Sequence, residues 1–237
     1  MTQEDEPEMG EGSGQPYPVS RASEPILTAP WPPLLLAGLL IGVFGLLMGL
    51  HLNDAAIEDF GFMPVVLSLG PANWFGLLTS LFLHGGWAHV LFNSGFALAF
   101  GAPVSRRFGL DAKGGLAFFA FFIVTGVVGN LGFALAPHAD GFSLVGASGG
   151  VSGLMGAASR LMGGRPRGAL ARFSSPTVVG MAAAWLVGNL VIGVAGIAPL
   201  GQGGSIAWQA HLAGYAAGLF LIAPVSRRLG IAVQTEA

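Results

Sequence analysis

The chain has 237 residues, of which 53% are hydrophobic and only 9% charged, against about a quarter charged in an ordinary soluble domain, and its mean hydropathy is +0.69. A formal net charge of −2 gives no electrostatic basis for a nucleic-acid partner, and the absence of cysteine excludes disulfides, thiolate metal sites and a cysteine nucleophile. The 39 glycines lie in apolar runs without a G-X-Y period, which fits close packing of membrane helices and excludes collagen.

Residues 1–28 are acidic, rich in Gly, Pro and Ser, and aperiodic, so they are expected to form a disordered tail. The first apolar run begins near Trp31 without a basic n-region, which favours an uncleaved first span over a cleaved signal peptide. Roughly twenty apolar residues cross a bilayer. By that criterion six spans are expected, at 33–52, 87–105, 115–136, 147–163, 177–196 and 207–226, the fourth being short. Together they make a membrane domain over 29–228, followed by a short C-terminal tail at 229–237. The loop 53–86 is too long and too apolar to be structureless, so short helices lying partly in the outer interface are expected there.

Cytoplasmic loops are enriched in Lys and Arg. Arg21 precedes span one, Arg106, Arg107 and Lys113 join spans two and three, Arg160, Arg165, Arg167 and Arg172 follow span four, and Arg227 and Arg228 close span six. The segments 53–86, 137–146 and 197–206 contain no basic residue. That asymmetry predicts both termini on the cytoplasmic side. Trp87 and Trp208 begin spans two and six on the outer side, as interfacial anchors do. The near-repeat APVSRRFG at 102–109 and APVSRRLG at 223–230 closes the same two spans on the inner face.

Polar groups inside spans are expensive and therefore candidates for function. No acid falls within a predicted span, which excludes paired carboxylates and a buried Ser-His-Asp triad, and no HExxH occurs for a zinc protease. Ser148 and His211, with His84, His89 and Asn93, remain, and the topology places all five toward the outer side. On span four Ser148, Ser152 and Gly156 recur at i, i+4, i+8, and on span six His211, Gly214 and Gly218 recur at i, i+3, i+7. If these small-residue stripes face each other, the His211 imidazole can take the Ser148 proton at about 3 Å, without an acid. Ser148 starts its helix, where free N–H groups favour an oxyanion, and His89 and Asn93 share a face at i, i+4. GASGGVSGLMG at 146–156 also fits G-x-S-x-G, but that elbow needs a preceding strand in a soluble sheet, and here the flanks are apolar spans. A histidine metal site lacks an acid or a fourth obvious ligand, so no metal or cofactor is expected.

Three motifs in order, LTSLFLHGGWAHVLFN at 78–93, GASGGVSGLMGA at 146–157 and AHLAGYAAG at 210–218, together resemble a rhomboid intramembrane serine protease, over residues from about 70 to 225. The resemblance implies an all-α, six-transmembrane-helix bundle in a lipid bilayer, with a water-filled cavity open to the outer side. It implies Ser148 as nucleophile, His211 as general base and then acid, Asn93, His89 and the Ser148 backbone N–H as oxyanion hole, and His84 as nearby support. Substrates would be transmembrane helices of other membrane proteins, cut near the outer interface, and the charge pattern fits a bacterial inner membrane. The chain departs from the family pattern at Ser152, where many members carry an aromatic under the histidine ring, and at Gly76, where a Trp-Arg pair is common. The rival function is a rhomboid-like client-binding protein without protease activity; such pseudoproteases generally lack the serine or the histidine, and this chain keeps both.

Overall fold

The computed structural model describes residues 29–71, 74–136, 143–164, 169–195 and 207–234. The tail expected at 1–28, the loop at 197–206, most of the loop at 137–146, and Arg165 and Arg167 lie outside the described residues. Among those described the long elements are all helices, and an isolated antiparallel bridge joins Phe62 to Leu144.

Long helices occupy the six predicted stretches: α1 (Trp31–Gly49), α4 (Trp87–Phe108), α5 (Ala112–Ala134), α6 (Ser148–Gly163), α7 (Pro176–Ala195) and α8 (Trp208–Arg228). Two of them, α1 and α5, are by length and composition apolar enough to cross a membrane. Local sequence explains where the helices start and stop. Pro32 and Pro33 sit in the first turn of α1, where a missing N–H is harmless. Asp111 caps α5 by accepting from the Gly114 N–H at 2.8 Å. The basic pairs of the near-repeat fall in the last turns of α4 and α8, where positive charge complements the helix dipole.

The loop between α1 and α4 is not structureless. It contains α2 (Asn53–Phe60), a 3-10 turn at Pro64–Leu69, α3 (Gly76–Thr79) and a second 3-10 turn at Ser80–Phe82. Polar side chains fasten it inward: Asn130 of α5 donates to the Leu77 carbonyl at 2.9 Å and to Ser80 Oγ at 3.0 Å, and Thr79 donates to the Phe60 carbonyl at 2.6 Å. A side chain at Gly76 would meet the Gly61 carbonyl at 2.8 Å. Gly76 therefore sits at a tight backbone crossing, next to the turn that Asn130 anchors.

The centre of the bundle is α6, whose residues from Gly149 to Arg160 are all buried. Its glycines let neighbours approach to backbone contact. A Cβ on Gly214 would run into the Gly149 carbonyl, and one on Gly218 into the Gly153 carbonyl, while Gly150 accommodates the Phe122 ring of α5. Around it Leu36, Leu40, Phe44, Val90, Phe118, Leu154 and Ile222 form the apolar core. The outward faces are also apolar: Leu35 and Leu46 of α1, Leu116 of α5 and Val179, Val187 and Val191 of α7 are exposed, as suits a hydrocarbon solvent and not water.

Basic residues gather at one end of the bundle, together with the start of α1 and the segment after α8. Trp31 Nε1 donates to the Leu110 carbonyl at 2.8 Å, Arg107 donates to Ser226 Oγ at 3.2 Å and to the Ala232 carbonyl at 2.8 Å, and the Leu170 N–H donates to the Gln234 carbonyl at 2.8 Å. The two copies of the near-repeat thus touch through Arg107 and Ser226. Arg160 donates to the Ala171 carbonyl at 3.0 Å and lies over the Phe173 ring at 4.3 Å. At the opposite end Trp87 packs edge-on against Phe44, with centroids 5.0 Å apart.

Candidate active site

The site is built where the loop meets the start of α6. Phe62 and Leu144 exchange backbone hydrogen bonds at 3.0 and 2.8 Å, the Gly146 N–H donates to the Ser80 carbonyl at 2.9 Å, and the Ala147 N–H reaches His84 Nε2 at 3.5 Å. These contacts lead the chain into Ser148, the first residue of α6. The Val151 N–H makes the first helical bond here, to Ala147 at 2.9 Å, so the N–H groups of Ser148, Gly149 and Gly150 precede the hydrogen-bonded ladder.

From α8, His211 Nε2 stands 2.8 Å from Ser148 Oγ. The approach depends on the Gly149–Gly214 crossing one turn below, because any larger residue would force the helices apart. From α4, His89 and Asn93 face the same corner. A Cβ on Gly146 would lie 2.6 Å from His89 Nε2 and 3.7 Å from Asn93 Nδ2. Among the described residues, the buried Asn93 amide nitrogen has no hydrogen-bond partner, so its donor capacity is unspent beside Gly146, two residues before Ser148.

His84 is fully buried, and its ring meets that of His89 edge-on at 5.0 Å. Burial, and after it the neighbouring His89, holds the His84 imidazole down at about 3. It is therefore neutral at ordinary pH, and its Nε2 can accept from Ala147. All five residues singled out from the sequence are brought to one corner of the bundle. Among the described residues no three His, Asp or Glu side chains converge as metal ligands.

Two residues that the sequence reading did not single out complete the surroundings of His211. Asn189 of α7 places Oδ1 2.6 Å from His211 Nδ1, and its Nδ2 donates to the Trp185 carbonyl at 2.8 Å. The Trp185 ring lies 5.8 Å from the imidazole, tilted by 37°. Ser152, at the position noted above as a departure from the family pattern, donates its hydroxyl to the Ser148 carbonyl at 2.6 Å. The signal for Asn189 was available, since it is a strongly polar residue inside an apolar helix, four residues after Trp185 on one face.

The chain matches the family described as Rhomboid domain over residues 71–228, well over half of its length. It is a member of the rhomboid family. It is also similar to a Bacillus subtilis (strain 168) protein named "Putative rhomboid protease YdcA", with 36% identity over 91 residues, covering 38% of this chain and 43% of that relative. The match spans less than half of the relative's length. Family membership and the apolar helices together make this rhomboid chain an integral membrane protein of a protease family. The family region runs from the loop anchored by Asn130 to the end of α8, and so encloses Ser148, His211, His84, His89 and Asn93.

Proposed function

We propose that the chain is an intramembrane serine endopeptidase that cleaves transmembrane segments of other membrane proteins with Ser148 and His211. The observation that carries this reading is the 2.8 Å contact between His211 Nε2 and Ser148 Oγ, beside an unspent Asn93 amide. Ser148 Oγ attacks the peptide carbonyl carbon while its proton passes to His211 Nε2. The oxyanion is held by the Ser148 N–H, Asn93 Nδ2 and His89. The C–N bond then breaks, His211 returns the proton to the leaving amine, and an ester to Ser148 remains. Water adds to that ester, giving a proton to His211, and the carboxylic product leaves as the proton returns to Oγ. No cofactor enters any step.

In this reading all six long helices cross the bilayer, the arginine-bearing end faces the cytoplasm with both termini, and the site opens toward the non-cytoplasmic side of a bacterial inner membrane. The lipid-facing apolar surface and the segregation of arginines support that orientation. The test is cleavage of a single-span model substrate, with small residues near its outer end, co-reconstituted in vesicles with the full chain. Wild type should yield two fragments, and Ser148→Ala and His211→Ala none. A wild-type protein that binds the substrate and leaves it intact would overturn the reading in favour of a client-binding rhomboid.

A further inference from the structure

Resting on the protease reading, we infer that Asn189 is a positioning residue that fixes the tautomer and orientation of His211, so that the site works as a Ser148–His211–Asn189 chain. The direction of each hydrogen bond follows from chemistry. Asn189 Nδ2 donates to the Trp185 carbonyl, which can only accept. That contact assigns the amide and turns Oδ1 toward His211 Nδ1, at 2.6 Å. An amide oxygen cannot donate, so the proton of the neutral imidazole resides on Nδ1. Nε2 is then the bare nitrogen, and it is Nε2 that faces Ser148 Oγ at 2.8 Å. The opposite tautomer would aim a lone pair at Asn189 and an N–H at the serine, and the serine proton would have nowhere to go.

The packing of α7 supports a specific role over general helix adhesion. Leu186, Val187, Leu190 and Val191 around Asn189 are exposed. Asn189 itself is buried, against His211 and the preceding turn. The same turn brings Trp185 to the imidazole at 5.8 Å. One face of α7 thus supplies both an acceptor for Nδ1 and an aromatic wall, while Ser152 on α6 supplies no ring. An amide also suits a carboxylate-free site: it orients the ring and stabilises the imidazolium formed during attack without placing a charge in apolar surroundings.

Toward the same end of the bundle, His89 of α4 faces His211 with His84 of the loop beside it, and the outer loop also carries His51 and the α2 carboxylates Asp54, Glu58 and Asp59. By sequence position Arg106 and Arg107 of α4, Lys113 of α5, Arg160 of α6 and Arg227 and Arg228 of α8 lie toward the far ends of their helices, and Tyr215 lies one turn further along α8. Helix α7 carries no titratable side chain. A pH profile therefore reports on His211 with the His84–His89 pair and the outer-loop groups as background, and that background is common to wild type and variants.

The experiment compares full-length wild type, Asn189→Ala and Asn189→Asp in vesicles, reading kcat and KM for a single-span substrate across pH, with fluorophosphonate labelling alongside. Asn189→Ala should lower kcat about tenfold with KM unchanged, the worth of one oriented hydrogen bond. Asn189→Asp should move the acid limb of kcat/KM upward by about one unit or more, because a carboxylate at Nδ1 stabilises the imidazolium. A residue that only joined α7 to the bundle would not produce that displacement. Wild-type kcat in Asn189→Ala, or an acid limb of Asn189→Asp that coincides with wild type, would overturn the inference while leaving the protease reading intact. A wild type that neither labels nor cleaves would instead remove the protease reading, and the inference with it.

Discussion

Gly146 is constrained twice. Its φ of +122° is a conformation that side chains resist, and a Cβ there would lie 2.6 Å from His89 Nε2. It belongs to the G-x-S-x-G pattern for reasons unrelated to a soluble nucleophile elbow: it turns the chain into α6 and leaves room for the α4 donors. Two residue-scale predictions follow from that corner. Asn93→Ala should lower kcat by about 10²–10³-fold with little change in KM, as expected for loss of an oxyanion donor. Gly146→Ala should also reduce kcat, and the double variant should lose less than the product of the single effects, because both act through the same corner. Multiplicative losses in steady-state kinetics would contradict a shared oxyanion corner. The proximity of Ser148 and His211 was legible from helical spacing and resemblance, and the two side chains stand 2.8 Å apart. Asn189 carried a signal as a strongly polar residue in an apolar helix, but its partnership with His211 was not legible, because that partner lies on another helix.

At the scale of elements, α6 and α8 are held at backbone contact by Gly149, Gly153, Gly214 and Gly218. The expected α6 stripe was Ser148, Ser152 and Gly156 against His211, Gly214 and Gly218; the close crossing is found, but Gly149 and Gly153, one residue further along, meet Gly214 and Gly218. Gly218→Val should separate the two helices: the obstruction is the Gly153 carbonyl, which cannot swing aside like a flexible side chain. The expected destabilisation is at least about 1–3 kcal/mol, visible as a lower melting temperature in detergent together with loss of cleavage, whereas an unchanged melting temperature would refute the crossing. Helix positions were legible because apolar length and basic ends are local signals. The stitching of the 53–86 loop was not. Only its inability to remain structureless could be inferred, since the Phe62–Leu144 bridge and the Asn130 anchor join segments far apart in sequence.

For the whole molecule, the segregation of arginines was evident in the sequence, and the structure gathers Arg106, Arg107, Arg160, Arg227 and Arg228 at the helix ends opposite His211. The proposed orientation makes a prediction that the natural sequence simplifies, since it contains no cysteine. Single replacements Ser13→Cys, Lys113→Cys and Gln234→Cys should react with a membrane-impermeant maleimide only after the cells are opened. Glu58→Cys should react in spheroplasts with intact inner membranes. The reverse pattern would invert the topology and place the site on the cytoplasmic side.

The central claim is that Ser148 is a nucleophile activated by His211, and covalent capture tests it most directly. The full chain in vesicles is treated with a fluorophosphonate, digested, and the adduct located by mass spectrometry. The account predicts modification at Ser148 in wild type, none in Ser148→Ala, and a strongly reduced rate in His211→Ala. Labelling at another residue, or a His211→Ala variant that labels as fast as wild type, would contradict it.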